Sequence, residues 1–271
     1  MPAFDIEAVT RELRAVGCVF AEDEARLLVH SARSTGELTD LVARRVAGNP
    51  LEYVLGWAEF MGLRVGVRAG VFVPRRRSAL LVDEALALAR VDSPRTVVDL
   101  CCGSGALGLA LITGLSGHPD PPPDLYAADI DPVATDCARS NLTRIGGRVY
   151  QGDLFDALPT QLRGRIDIVL ANTPYVPSEF LAQMPPEARD HEPATALDGG
   201  PDGLHLARRT AAAALGWLAP GGSLLIEIGT DQIPAATALL AANGFAVRIA
   251  RSAELGATVA IGLRATATSG R

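Results

Sequence analysis

Lysine is absent from the chain: all 25 of its Lys/Arg positions are arginine. With alanine and glycine so abundant, this reads as GC-rich codon usage and carries no functional signal of its own. Cysteine is scarce. Cys18, Cys101, Cys102 and Cys137 form no CxxC pair and no cluster with zinc-ligand spacing, so no metal site is expected and the thiols are expected to be reduced and partly buried. No apolar run reaches the roughly 20 residues of a membrane span. The start, Met1 to Asp5, offers no basic segment followed by an apolar one, so a cytoplasmic protein that makes no use of a membrane is expected. Net charge is −6; a protein that grips long nucleic acid carries a basic face, so nucleic acid is not expected as a direct substrate. Four histidines, His30, His118, His191 and His205, are scattered along the chain, and structural roles are expected for them. The run Arg75-Arg76-Arg77 suits either an anionic partner or a solvated helix start. No internal repeat is present.

What remains is 271 residues, 48% hydrophobic and 21% charged, enough for one large domain and one small one. Ile6, Val9, Leu13 and Val16 fall at helical spacing between a capping Asp5 and a terminating Gly17. Two further helices follow at 21–32 and 37–47, broken by Ser34-Thr35-Gly36 and closed by Gly48-Asn49-Pro50. Residues 51–73 change character. Alternating Leu63, Val65 and Val67, then Val71 and Val73, predict a hairpin. A helix over 78–90 with Ser78 as its cap comes next. After Pro94 the rhythm is strand, turn, helix: strands at 96–100, 125–129, 148–151, 166–171, 223–228, 245–250 and 258–263, helices starting near 106, 131, 203 and 233. That alternation implies a mostly parallel sheet covered on both faces. The Pro119–Pro123 stretch and the tail from Ala265 to Arg271 read as loop punctuation.

Val97-Val98-Asp99-Leu100-Cys101-Cys102-Gly103-Ser104-Gly105 carries the first chemical signal. An acid ends a strand, small residues let the backbone approach a ligand, and a helix follows with unpaired N–H groups. A glycine loop alone also suits a dinucleotide fold. Here the glycines come one register late relative to Asp99, and Asp99 is placed to meet a cationic methionine end, which favours S-adenosylmethionine. Asp129 closes the second strand and can accept from ribose hydroxyls. Gly152-Asp153-Leu154-Phe155 follows the third strand, where Asp153 can meet the adenine amino group with Leu154 or Phe155 against the ring. Asn172-Thr173-Pro174-Tyr175 follows the fourth strand, at the carboxyl end of the sheet where substrate belongs.

These motifs resemble the HemK/PrmC family, and the likeness runs from about residue 50 to 264. Pro50-Leu51-Glu52-Tyr53-Val54-Leu55-Gly56 with Glu59-Phe60, and Val71-Phe72-Val73-Pro74-Arg75, resemble the two ends of that family's linker. Ala128-Asp129-Ile130, Asn141, Gly152 to Phe155 and Asn172-x-Pro174-Tyr175 fit. So do Glu192-Pro193, Ala196-Leu197-Asp198-Gly199-Gly200, Pro220-Gly221-Gly222 and Glu227-Ile228-Gly229.

The resemblance implies an α/β, class I Rossmann-like methyltransferase with a mostly parallel seven-stranded sheet. It implies a helical substrate-recognition domain at 1–50, a β-hairpin linker at 51–75 and the methyltransferase domain at 76–271. Asp99, Cys101, Gly103, Gly105, Asp129, Ile130, Asp153, Leu154 and Asn172 are then expected around S-adenosylmethionine, and Asn172, Thr173, Pro174 and Tyr175 around the acceptor. That acceptor is expected to be a glutamine side chain on a protein such as a peptide chain release factor. The Asn172 side-chain oxygen and the Thr173 carbonyl would each accept one N–H of the acceptor, and Tyr175 would pack on its flat amide. The same chemistry on a nucleobase or on an amide or guanidine of a small metabolite is the alternative, as is a cofactor-binding paralogue with weak catalysis. Three positions depart from the family pattern: Thr173 replaces the first proline after the asparagine, Arg76-Arg77-Ser78-Ala79 replaces Pro-acid-Ser/Thr-Glu, and Cys101 replaces the first motif glycine.

Overall fold

Asp5 opens a helix as its place before an apolar-periodic run predicts, and Ser34, expected in a break between helices, opens another. The computed structural model describes residues 5–117 and 121–266; His118, part of the proline-rich stretch, the first four residues and the last five lie outside the described residues. Asp5 accepts from the Ala8 N–H at 3.0 Å and starts α1 (Ile6–Ala15). After α2 (Ala21–Ser31), Ser34 accepts from the Glu37 N–H at 3.2 Å and starts α3 (Thr35–Val46). Leu13, Leu28, Leu41 and Val42 from these helices close into one apolar core, which is what such one-sided helices need to be stable. A short helix, α4 (Leu51–Leu55), was not foreseen; Val54, Leu51 and Leu55 pack into the same core.

The hairpin is shorter than the alternation predicts. It joins β1 (Trp57–Phe60) to β2 (Leu63–Gly66). Val71 and Val73 lie beyond it, outside any strand but buried, and the Val71 carbonyl accepts from the Tyr53 hydroxyl at 2.7 Å. The next elements are α5 (Ala79–Asp92), β3 (Thr96–Leu100), α6 (Ala106–Gly114), β4 (Asp124–Asp129), α7 (Pro132–Leu142), β5 (Arg148–Gln151) and β6 (Ile166–Ala171). An unforeseen α8 (Pro186–His191) precedes α9 (His205–Ala214), β7 (Leu218–Ile228), α10 (Ile233–Ala242), β8 (Ala246–Ser252) and β9 (Ala257–Leu263). The seven-stranded sheet runs β5-β4-β3-β6-β7-β9-β8; β9 alone runs antiparallel to both its neighbours. Helices α5, α6 and α7 cover one face and α9 and α10 the other. Among the described residues no helix is long and apolar enough to cross a membrane.

From β3 the chain winds outward through β4 and β5, then returns to β6 on the other side of β3. Where strand order reverses, the loops leaving the carboxyl ends of β3 and β6 diverge and open a crevice. Asn141 on α7 ties the linker to the rim of that crevice. Its Oδ1 accepts from the Gly66 N–H at 2.9 Å, and its Nδ2 donates to the Gly66 and Ser104 carbonyls at 2.9 and 2.8 Å. Asn141→Ala strands the Gly66 N–H and the Ser104 carbonyl, while the Gly66 carbonyl keeps the Cys137 thiol at 3.2 Å, and should lower stability by about 2–4 kcal/mol. Urea unfolding measures this; a change below about 1 kcal/mol would show that water replaces the side chain.

Candidate active site

A cavity of about 460 Å³ fills the crevice, within the roughly 300–1,000 Å³ of small-molecule sites. Its floor is the loop after β3. Cys101, Gly103 and Gly105 all have positive φ, +53°, +53° and +77°. Glycine suits that conformation, whereas at Cys101 it costs about 1–3 kcal/mol, so the family's usual residue fits better than the one present. Burial pushes the Cys101 thiol up, so the sulfur is a neutral lining group. The carboxylate of Asp129, at the tip of β4, ties the loop down: Oδ2 accepts from the Gly103 N–H at 2.9 Å and Oδ1 from the Asp131 N–H at 3.0 Å. Each oxygen keeps a second lone pair, and Asp129 and Ile130 both line the cavity.

Two of the residues expected around the cofactor lie elsewhere. Asp99 is fully buried beneath the loop and does not reach the cavity. Its Oδ2 accepts from the Gly108 N–H in the first turn of α6 at 2.9 Å, and among the described residues its Oδ1 has no partner. Its place is structural because the strand end directs it to the helix start. Gly105 is also away from the cavity; a Cβ there would meet Leu142 at 2.9 Å, so its role is close packing of loop on helix.

At the far end, Asp153 and Leu154 line the cavity, while Phe155 turns into the core and stacks on Trp217 with ring centroids 5.6 Å apart. Asp153 is held by Arg209 of α9 at 2.5 Å. Sequence reasoning missed Arg209, which had no motif around it.

Asn172, Thr173, Pro174 and Tyr175 line the opposite side. Asn172 Nδ2 donates to the Ser78 hydroxyl at 3.1 Å; among the described residues Oδ1 has no partner. Tyr175 donates its hydroxyl to Glu227 Oε1 at 2.8 Å, and Arg77 reaches the same oxygen at 3.4 Å while lying 5.5 Å from the tyrosine ring. Burial and the neighbouring Glu227 raise the Tyr175 hydroxyl above its ordinary value, so it stays a donor. Behind this loop the backbone of 197–203 presses closely. Val176 donates to the Leu197 carbonyl at 3.2 Å and accepts from Gly199 at 2.8 Å. A Cβ on Gly199 would lie 2.7 Å from the Pro174 carbonyl, and one on Gly203 2.2 Å from that of Tyr175. Gln232 caps the arrangement by donating to the Tyr175 carbonyl at 2.9 Å. Glu192 joins the segment to the linker, accepting from Val73 N–H at 3.1 Å and Arg75 at 2.6 Å. The motif Leu197-Asp198-Gly199-Gly200 is thus the buttress of the Asn172 loop.

The family model "Methyltransferase small domain" matches residues 63–183. A "Release factor glutamine methyltransferase" of Geobacter sulfurreducens is 38% identical over 76% of this chain and 69% of its own length. The chain belongs to the release factor glutamine methyltransferase family. A further relative at 36% identity, over 75% of this chain and 69% of its own, is the "4-amino-L-phenylalanine/4-methylamino-L-phenylalanine methyltransferase" of Streptomyces pristinaespiralis. Among solved structures, the Thermus thermophilus 16S rRNA N2 G1207 methyltransferase shares the fold, with TM-score 0.54 and 20% identity over 77% of this chain and 49% of that one. The α/β methyltransferase architecture read from the sequence is therefore the one this family member has.

Burial pushes the Asp99 carboxyl up to about 8, whereas in the unfolded chain it titrates near about 3.9. Between those values the folded state holds the extra proton, so this group's contribution falls as pH rises from about 4 to about 8 and is fully lost above that. Asp99→Asn should remove that part of the slope. Urea unfolding of both proteins at about pH 5 and about pH 8 compares them, and equal losses in the two would contradict a neutral Asp99.

Proposed function

We propose that the chain transfers the methyl group of S-adenosylmethionine to the side-chain amide nitrogen of a glutamine on a protein, with a peptide chain release factor as the acceptor. Asn172 carries this reading. It stands at the carboxyl end of β6 beside the glycine loop and lines the cavity, its NH₂ engaged by Ser78 and its oxygen without a partner among the described residues. The residues present fit the cofactor. Asp129 has spare lone pairs for the ribose hydroxyls, the positive-φ loop brings backbone close, and Asp153 and Leu154 stand where the adenine would lie. S-adenosylmethionine supplies an electrophilic methyl group on a sulfonium.

The chain's own residues then have to orient a weak nucleophile. The Asn172 oxygen and the Thr173 carbonyl accept the two N–H groups of the acceptor. That aims the nitrogen and offsets the positive charge that grows on it. Tyr175, fixed by Glu227, packs on the amide and excludes water. No proton transfer has to precede the attack, because the nitrogen becomes cationic as it takes the methyl group and then loses its proton to solvent. The helices of residues 1–50 would dock the protein that presents the glutamine, since they contribute nothing to the cavity lining.

A free amine acceptor is the second reading, favoured by one observation. Arg77, where the family pattern has an acid, places a guanidinium in the cavity wall beside Tyr175, where a small acceptor's carboxylate could pair with it. Labelled methyl transfer to a release factor and, separately, to 4-amino-L-phenylalanine, read by mass spectrometry, discriminates the two. With a glutamine acceptor, Thr173→Pro should keep or raise turnover, because proline presents the same carbonyl with φ fixed near about −65°. If the Thr173 hydroxyl reads another acceptor, that variant loses activity with S-adenosylmethionine affinity unchanged. A large loss in both Thr173→Pro and Thr173→Val on a release factor would contradict the glutamine reading.

A further inference from the structure

The hydroxyl of Ser78 is not used by the helix it opens. At the N-cap position of α5, serine ordinarily adopts an extended backbone and accepts from a first-turn N–H. Ser78 is instead already helical, with φ −68° and ψ −7°, and makes no cap hydrogen bond. The residue is 1% exposed, borders the cavity and spends its hydroxyl on Asn172 Nδ2 at 3.1 Å, 94 residues along the chain. We infer that Ser78 is a positioning residue for the acceptor, holding the Asn172 carboxamide in the plane that turns its oxygen toward the reacting nitrogen. This rests on the function proposed above, in which Asn172 touches the acceptor.

The torsion that sets a carboxamide plane is broad and roughly two-fold, so backbone placement of Asn172 alone does not orient it. A half-turn would present NH₂ to an acceptor that itself offers N–H donors, and no hydrogen bond would form. Smaller rotations also matter, since productive geometry is held to about 10–20°. The hydroxyl restrains this freedom by accepting from Nδ2, the arrangement that leaves Oδ1 for the acceptor, and α5 fixes the hydroxyl in turn: Leu81, Val82 and Ala85 in its first turns are fully buried against the sheet. Ser78 thereby couples the helix after the linker to the loop after β6.

The test uses the full chain with Ser78→Ala, Ser78→Thr, Asn172→Ala and the Ser78→Ala/Asn172→Ala double variant. Single-turnover methyl transfer is read with a release factor and with 4-amino-L-phenylalanine, alongside S-adenosylmethionine affinity by calorimetry. Ser78→Ala should lower the transfer rate about 10–100-fold, the scale of a misoriented catalytic group, with acceptor KM and cofactor affinity within about twofold. Ser78→Thr, which keeps the hydroxyl, should restore the rate. In the Asn172→Ala background the serine change should cost nothing further, because the group it orients is gone. A Ser78→Ala protein that keeps its rate, or loses equally with and without Asn172, overturns the assignment while leaving the proposed function standing. Absence of transfer by the unchanged protein to either acceptor overturns the proposed function and this assignment with it.

Discussion

An amide nitrogen shares its lone pair with the adjacent carbonyl, and a protein that uses it as a nucleophile must hold it by its hydrogens and leave the lone pair clear. That constraint asks for rigid acceptors on one side of a cavity and nothing basic in the line of attack. In the proposed reaction it would fall on Asn172, a residue that much of the surrounding architecture holds in place. The reversal of strand order at β3 and β6 puts it beside the glycine loop. Ser78 engages its NH₂, Gly199 and Gly203 let backbone press against the loop from behind, and Gln232 and Glu227 hold Tyr175 by its carbonyl and its hydroxyl.

The acidic groups divide the remaining work according to burial. Asp129 reaches the cavity and has lone pairs to spare after holding the loop. Asp99, one strand inward, is sealed from solvent and held neutral near pH 7 by desolvation; it organises the start of α6 and leaves charge–charge contact with a ligand to others. Glu227 is as deeply buried but lies next to Arg77 and Tyr175. Three carboxylates in one sheet thus differ in role because they differ in partners, a distinction their positions at strand ends do not announce.

Much of the fold was legible because it rests on local patterns. The strands from Thr96 and Ile166 are short, apolar and bounded by turn residues, and they stand where periodicity puts them. The hairpin was overdrawn: Val71 and Val73 alternate like a strand, yet they are buried by Tyr53 and Glu192 contacts that come from distant sequence. Helix α8 was not foreseen; it is short and starts with Pro186 at its first helical position, where proline is favourable. Within the site, the residues that line the cavity by backbone placement, such as Gly103, Asp129 and Asn172, could be named from motifs. Asp99 was misassigned because sequence gives a residue's place on a strand but not its depth. Ser78 was taken for a helix cap, and Arg209 was overlooked, because their partners lie 94 and 56 residues away and no spacing rule connects them.

The central claim, that Asn172 acts on the acceptor and not on the cofactor, is tested most directly by Asn172→Ala. Turnover on the methylated acceptor and S-adenosylmethionine affinity are measured on the same preparation. The account predicts a fall in turnover of about 100-fold or more, as for removal of one preorganised polar contact, with cofactor affinity nearly unchanged. Turnover that survives within about threefold, or a loss explained by weaker cofactor binding, would contradict it.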